Sequence, residues 1–397
     1  MKTALILYEG MADRPDPVFE QRTPLEVARC ATATDLAVSG RGGLLPAYRN
    51  KKDQRSESML GQALGFSGDA LQDIWRGPLE ALAGDTVFDD AHWIFRADVV
   101  TLDDRHLISA DVPGITIEET RELADALREP LRELHADLRA IAPGRMIVAV
   151  RSEDVVGLRS VPPVEAEGTE WQAAWPKNRR HKWLRSFVET SYQVLSGHPV
   201  NHVRVDLGEN PANAIWPWGG GQPLAAGQGA AAVDAGHLVV MSNGLLARGF
   251  AKYVGIDMVE LSNPWGTVDG KRQPFRIAGL VKALHQRDDL VVHVEAPRSG
   301  GRYGSPADKV WALECLDHVV LAPLVTVLDA VKPYRIALTV DGAVSGSGKW
   351  LKERLPVIVS GDGIEPDGVG HWDERCCAKG GLGSLTIADT RIWLRKE

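Results

Sequence analysis

Cysteine is scarce in this chain of 397 residues. The sequence has only Cys30, Cys315, Cys376 and Cys377, and none of them has CxxC spacing. This pattern argues against a disulfide framework and against a structural zinc site. We therefore expect a reducing compartment, that is, a cytoplasmic protein.

Long apolar segments are lacking near the start of the chain. The opening MKTALILYEG has a short apolar run that ends at a glycine. Such a run is too short for the core of a signal peptide or for a membrane span. It predicts a first buried strand at 3–8 instead, and we expect no membrane partner.

An excess of positive charge is absent as well. The chain has 45 Lys and Arg against 53 Asp and Glu, which gives a formal net charge of -8. This balance argues against a nucleic acid held on a general basic surface. The remaining composition, 44% hydrophobic and 25% charged, is typical of a globular protein. The length predicts two domains, or one large core with an insertion.

Strands that alternate with helices indicate an α/β fold with a mostly parallel central sheet. We predict further strands at 93–102 and 145–150, and helices at 116–141 and 182–196. The twelve tryptophans are scattered along the chain, and they suit packing or a stacking platform.

The patterning changes after residue 107 and becomes irregular and proline-rich before 182. We therefore predict a smaller α/β insertion at 107–181, acting as a lid or substrate domain. The core would be discontinuous, made of 1–106 and 182–397.

Polar side chains stand at several predicted strand and helix ends, where α/β proteins place their chemistry. They are Glu9, Ser56, Asp341, Arg298 and Arg302. Each also has an ordinary structural explanation, such as a turn, a helix N-cap or a solvated loop. A Glu, a Ser and an Asp from separate strand ends would suit phosphoryl transfer only if they meet in space.

The order of motifs along the chain adds information that single residues lack. The stretches are ADRP (12–15), TPLEVA (23–28), RGPLEAL (76–82), FRADVVTLDD (95–104), HPVN (198–201), NPANAI (210–215), GLLARGFAKYVGIDMVEL (244–261) and CAKGGLG (377–383). In this order the chain resembles the archaeal-type cofactor-independent phosphoglycerate mutases of the alkaline phosphatase superfamily. The resemblance implies an alkaline-phosphatase-like core. It also implies an isomerase that transfers a phosphoryl group through a serine with two divalent metals.

One of the two implied metal sites is partly retained. The family pattern D-G after the first strand is Glu9-Gly10 here, and the nucleophile pattern G-S-D is RSE, which keeps Ser56. The pattern T-G-D-H-S corresponds to TVDGA, which keeps Asp341 and replaces the histidine with Gly342. The resemblance therefore implies a weak single site formed by Glu9, Ser56 and Asp341.

The other implied metal site is lost. The pattern D-E-x-x-H places its Asp on Arg298 and its His on Arg302, and a further ligand His falls on Trp350. The arginine-rich substrate motif D-R-R-A-G-R corresponds to about 107–114, where no arginine remains. We expect no cofactor or one divalent metal (Mn, Mg or Zn), and not two. Arg298 and Arg302 would hold an anion in place of the other metal.

Two functional hypotheses follow. The first is a divergent mutase-like enzyme that transfers a phosphoryl or related group through Ser56, with mutase activity reduced or changed. The alternative is a catalytically inactive homologue that binds a small anionic metabolite or a protein partner. For the enzyme, the expected ligand is a small phosphorylated or carboxylate metabolite.

Overall fold

The structure is a computed structural model that describes residues 1–46, 56–151, 153–175, 181–261, 267–268, 271–272, 277–295, 305–346 and 348–395. Within these residues the strands are β1 (Lys2–Tyr8), β2 (Arg41–Leu45), β3 (Trp93–Leu102), β4 (Leu107–Ser109), β5 (Ala136–Ala142), β6 (Arg145–Val150), β7 (Ala214–Gly221), β8 (Leu238–Ser242), β9 (Asp257–Glu260), β10 (Thr267–Val268), β11 (Lys271–Arg272), β12 (Asp289–Val294), β13 (Tyr334–Val340), β14 (Ala343–Val344), β15 (Trp350–Leu351), β16 (Leu355–Gly361) and β17 (Gly383–Ser384).

The α-helices within the same residues are α1 (Pro24–Val27), α2 (Ala31–Val38), α3 (Ser56–Leu64), α4 (Arg76–Ala83), α5 (Ile117–Leu127), α6 (Pro163–Ala166), α7 (His181–Leu195), α8 (Pro199–Asp206), α9 (Leu245–Val254), α10 (Ile277–Gln286), α11 (Pro306–Leu316), α12 (Ala322–Asp329), α13 (Glu374–Cys377) and α14 (Ile387–Arg395).

The chain divides into two compact units. The core unit is Met1–Gln72 with Gly227–Glu397, and the inserted unit is Asp73–Ala226. The predicted insertion, 107–181, lies wholly within the inserted unit, which extends further on both sides. It extends further because β3 and β7, which flank the predicted insertion in sequence, pair antiparallel with each other.

The core unit is built on an eight-stranded sheet with the order β17-β2-β16-β13-β1-β12-β8-β9. The run from β13 to β9 is parallel, and β16 is antiparallel to both of its neighbours. β12 and β13 are buried along their whole length, as expected for parallel strands covered on both faces. The prediction of an α/β fold with a mostly parallel sheet is confirmed.

The register of the central strands fixes one edge of this sheet. Tyr8, at the end of β1, pairs with Val294 on one side and with Val340 on the other. All three strands therefore end at the same level. The residues that follow them leave the sheet together, so their side chains start from neighbouring positions.

The inserted unit has its own antiparallel sheet, in which β3 lies between β6 and β7. Much of its core is aromatic. Trp175 lies 5.3 Å from Trp171 and 5.6 Å from Trp216, measured between ring centroids, and Phe95 stacks on Trp183. These four indoles are at most 8% exposed. They pack the core and do not form a stacking platform for a ligand.

The predicted helix at 116–141 is wrong in its second half. α5 begins at a capping box of Thr116 and Glu119 and ends at Leu127. Pro130 follows, which has no backbone N–H and disfavours helix in the residue before it. The stretch after it forms β5, which pairs antiparallel with β6. Pairing with a neighbouring strand therefore outweighs the helical pattern of the sequence.

One helical stretch within the described residues, Pro306–Asp329, is long and apolar enough to span a membrane by length and composition alone. It joins α11 to α12 through a π-helical turn, Asp317–Leu321. In the core unit 56% of its most apolar window is buried. The Asp317 carboxylate accepts hydrogen bonds from the backbone N–H groups of Thr32 and Ala33, at 3.0 and 2.8 Å. These contacts are those of a core helix that fixes the start of α2.

Candidate active site

Glu9 and Ser56 meet at the edge where the central strands end. Glu9 directly follows β1, and Ser56 is the first residue of α3. The Ser56 Oγ lies 3.4 Å from the Glu9 Oε1, and both residues are 2% exposed. This separation is long for a hydrogen bond between two oxygens. The serine hydroxyl is therefore buried beside a carboxylate without being tightly held by it.

Asp341 follows β13 at the same edge and is fully buried. Its Oδ1 accepts a hydrogen bond of 2.8 Å from the backbone N–H of Gly10. Gly10 has a φ of 64°, a left-handed conformation that favours glycine. The tight turn after Glu9 is thus tied to Asp341. Glu9, Ser56 and Asp341 are brought together although they are far apart in sequence.

His293 belongs to the same cluster, and the sequence did not single it out. It lies inside β12, is fully buried, and places its Nε2 3.5 Å from the Asp341 Oδ2. Burial alone would lower the pKa of His293. Asp341 raises it, with smaller contributions from Glu9 and Glu295, and the net shift of the pKa is upward. The available signal was a histidine within the apolar run LVVHV.

Glu295 is the second residue that sequence reasoning missed. It follows β12, and its Oε1 lies 3.4 Å from the backbone N of Leu246 at the start of α9. A carboxylate near a helix N-terminus is stabilised by the helix dipole. Its backbone exchanges hydrogen bonds of 2.9 and 3.1 Å with the side chain of Asn243. Glu295 therefore positions α9 and adds negative charge near His293.

Lys309 is a buried cation that anchors the segment after β1. Its Nζ lies 2.9 Å from the Asp13 Oδ2 and also contacts the backbone oxygens of Ala12 and Val344. Burial lowers the pKa of Lys309, and the charge of Asp13 opposes part of that shift. The contacts join the ADRP stretch to β14, next to Asp341 in the chain.

The other residues named in the sequence analysis lie in different parts of the chain. Arg298 and Arg302 lie outside the described residues, so the arginine clamp stays a prediction. Trp350 lies in β15, in contact with Gly342. The stretch 107–114 lies in the inserted unit, where Arg204 donates a hydrogen bond of 2.7 Å to the Pro113 backbone oxygen.

Glu9, Ser56 and Asp341 are the predicted metal ligands, and all three lie among the described residues. Within the described ranges, no cluster of three or more His, Cys, Asp or Glu side chains is gathered closely enough to hold a metal ion. Glu9, Ser56 and Asp341 offer oxygen ligands, but Mg²⁺ demands near-ideal octahedral geometry. The single weak metal site at Glu9, Ser56 and Asp341 stays a prediction.

Comparison with known proteins agrees with the motif order. The family described as 2,3-bisphosphoglycerate-independent phosphoglycerate mutase matches residues 37–201. The chain is 28% identical to the mutase of Methanosarcina acetivorans, over 98% of both chains. It is also 28% identical to mutase 2 of Methanothermobacter thermautotrophicus, over 97% of this chain and 94% of the relative. The chain is similar to the cofactor-independent phosphoglycerate mutases along nearly its whole length.

Solved structures add the fold of this mutase family. A Pyrococcus horikoshii protein superposes with a TM-score of 0.68 at 21% identity, covering 99% of this chain and 96% of its own. The cofactor-independent phosphoglycerate mutase of Thermoplasma acidophilum gives a TM-score of 0.52 at 20% identity, over 100% and 99% of the chains. The chain therefore shares its fold with these two proteins over nearly its whole length.

Proposed function

We propose that this mutase-like protein transfers a phosphoryl or related group through Ser56, with mutase activity reduced or changed relative to the family. The observation that supports this most directly is the buried Ser56 hydroxyl, 3.4 Å from the Glu9 carboxylate. A serine beside a base at the carboxyl edge of a parallel sheet is the arrangement that nucleophilic transfer needs. The substrate would be a small phosphorylated or carboxylate metabolite, in a cytoplasmic setting consistent with four free cysteines.

In the proposed reaction Ser56 is the nucleophile and Glu9 is the base. As the Ser56 Oγ forms a bond to phosphorus, the bond from phosphorus to the donor oxygen breaks, and Glu9 accepts the hydroxyl proton. The donor oxygen leaves as an alkoxide and takes up a proton from water, and Glu9 returns its proton to Ser56 in the reverse step. In the reverse step an acceptor hydroxyl attacks the phosphoserine. Asp341 holds the turn that carries Glu9, through its hydrogen bond to Gly10.

Charge on the transferring group must be stabilised for this reaction to proceed. We assign that task to Arg298 and Arg302, whose guanidinium groups suit bidentate binding of phosphate. A single divalent ion (Mn, Mg or Zn), if bound by Glu9, Ser56 and Asp341, would polarise the serine and phosphoryl oxygens. The loss of one of the family's two metals removes several kcal/mol of stabilisation, and about 1.4 kcal/mol is tenfold in rate.

The test is incubation of the protein with 3-phosphoglycerate and with 2-phosphoglycerate, with and without Mn²⁺, followed by intact mass and peptide mapping. We expect one phosphoryl group on Ser56, slow interconversion of the two substrates, and loss of both in Ser56→Ala. Glu9→Gln should slow labelling without preventing substrate binding. Rapid turnover that survives Ser56→Ala would refute the proposed role of Ser56.

The alternative, a catalytically inactive binder of an anionic metabolite, makes a different prediction in the same experiment. Phosphoglycerate would bind in calorimetry, yet no phosphoserine would form. Arg298→Ala would then weaken binding. That pair of results would replace the transfer proposal with the binding one.

A further inference from the structure

The Trp350 indole occupies the space that a side chain at position 342 would need. A Cβ atom built on Gly342 would lie 2.0 Å from the Trp350 Cζ3 and 2.9 Å from both Cε3 and Cη2. These separations are far shorter than the 3.5–4.0 Å at which carbon atoms make favourable contact. Gly342 is not among the glycines with positive φ. Glycine is therefore required here because the indole ring fills the space, and not because of the backbone conformation.

Trp350 belongs to a small hairpin. β14 pairs antiparallel with β15, with Val344 opposite Trp350. The backbone N–H of Val344 donates to the Ala12 oxygen at 2.9 Å, and the Ala12 N–H donates to the Gly342 oxygen at 3.3 Å. The buried Lys309 donates to the oxygen of Val344 from another direction. The backbone of the hairpin is thus bound to the segment after β1, which fixes the position from which the Trp350 side chain starts.

The position of the ring matters because Gly342 directly follows the buried Asp341. A divalent ion near Asp341 and Glu9 needs further oxygen or nitrogen ligands, or room for bound water. Position 342 has no side chain to offer, and the adjacent space is taken by an apolar ring. The ring therefore takes the space that a ligand side chain at position 342 would need.

We propose that Trp350 is a specificity-determining residue of the candidate active site. Its indole excludes any side chain from position 342, disfavours a hydrated divalent cation beside Asp341, and offers an apolar face to the organic part of a ligand. The inference concerns the same pocket as the proposed function, but it does not depend on transfer through Ser56.

The first experiment tests the steric claim with a double-mutant cycle read by thermal unfolding. Gly342→Ala should lower Tm by about 5 °C or more. In a Trp350→Ala background the same change should cost much less. Gly370→Ala is the matched control, because a Cβ at Gly370 has nothing within 4 Å. If Gly342→Ala leaves Tm where Gly370→Ala leaves it, the proposal is wrong.

The second experiment tests selectivity with Mn²⁺ alone, by calorimetry and electron paramagnetic resonance. Trp350→Ser should bind Mn²⁺ roughly tenfold more tightly than the unaltered protein, and Gly342→His combined with Trp350→Ser more tightly still. Trp311→Ser, which removes an indole 40% exposed in the core unit, is the control and should change nothing. Equal Mn²⁺ affinity in all four proteins would overturn the proposal. Neither experiment measures phosphoryl transfer, so this inference and the proposed function fail separately.

Discussion

Both units bury charged side chains, but the distances between these side chains differ. In the inserted unit Arg76, Glu80, Arg96 and Asp98 are each at most 2% exposed. The Glu80 Oε1 lies 2.6 Å from the Arg76 Nε and 2.9 Å from the Arg96 Nη1. Arg96 also contacts Asp98 through two nitrogens, at 3.0 and 2.7 Å. Every one of these contacts is a short, charge-assisted hydrogen bond.

In the core unit two side-chain pairs at the strand ends stand further apart. Ser56 is 3.4 Å from Glu9, and His293 is 3.5 Å from Asp341. Burial is equally deep in the two places, so burial does not separate them. The contact distances do, because the network consists of short charge-assisted hydrogen bonds, while the distances from Ser56 to Glu9 and from His293 to Asp341 are at the upper limit for a hydrogen bond. Buried charge therefore marks a candidate site only where the partners do not close on each other.

The largest effect that tests this comparison is expected from Arg96→Ala. The change leaves the buried carboxylates of Glu80 and Asp98 without their shared cation. We expect a loss of about 3–5 kcal/mol in the free energy of unfolding, measured by urea denaturation. Arg139→Ala is the control, since its pair with Asp137 is exposed, and it should cost less than about 1 kcal/mol. Equal losses would contradict a structural role for the network.

Glu374 is an intermediate case in the core unit. Its Oε2 accepts a hydrogen bond of 2.6 Å from Thr23, while its buried Oε1 has no hydrogen-bond partner among the described residues. Burial raises the pKa of Glu374 from 4.5 to about 7. Between these two values the folded protein holds a proton that the unfolded chain has lost, so stability falls as the pH rises through this window and then levels off.

Glu374→Gln should remove that dependence. We expect the variant to gain up to about 3 kcal/mol over the unaltered protein between about pH 5 and about pH 8, in urea denaturation at both values. Glu129→Gln, a change to an exposed carboxyl, should keep the original pH dependence. The same pH profile in all three proteins would show that Glu374 is not the group responsible.

Trp218→Phe tests how much one bond of the closed network contributes. The Trp218 Nε1 donates to the Asp98 Oδ2 at 2.6 Å, and the ring also lies 4.9 Å from the Arg96 guanidinium. Phenylalanine keeps an aromatic ring and loses the N–H donor. We expect a loss of about 2 kcal/mol in urea denaturation, the range for a hydrogen bond to a charged group. No loss would mean that Asp98 finds another donor.

Ser56→Ala should have the smallest effect on stability. The contact of the serine hydroxyl with Glu9 is long, so its removal should change the free energy of unfolding by less than about 0.5 kcal/mol. The same urea experiment measures it beside Trp218→Phe. If the two variants lose similar stability, Ser56 is held as firmly as the network in the inserted unit, and the comparison fails.

Strands and their ends were the most predictable parts of the molecule. β3 and β6 have the bounds that their apolar runs indicate, and Ser56, one of the polar residues expected at a strand or helix end, is the first residue of α3. β5 was not predictable in the same way, because its strand form depends on pairing with β6 and its own pattern is amphipathic.

The site was predictable where a polar residue ends a buried strand, as Glu9 and Asp341 do. His293 was missed because it lies inside its strand, beside Leu7 of β1, and its meaning depends on Asp341 across the sheet. The exclusion of a side chain at position 342 by Trp350 depends on how β14 pairs with β15. Neither residue determines that pairing alone.

The central sheet of the core unit ends in short strands on both sides. β17 has two residues and β9 has four. An open strand edge is a template on which another chain can pair. β17 covers β2 only because glycine stands at position 380, where a Cβ would lie 2.2 Å from the Gly42 backbone oxygen. A larger residue at position 380 would displace β17 and expose the edge of β2. We therefore expect such a substitution to cause aggregation between copies of the chain.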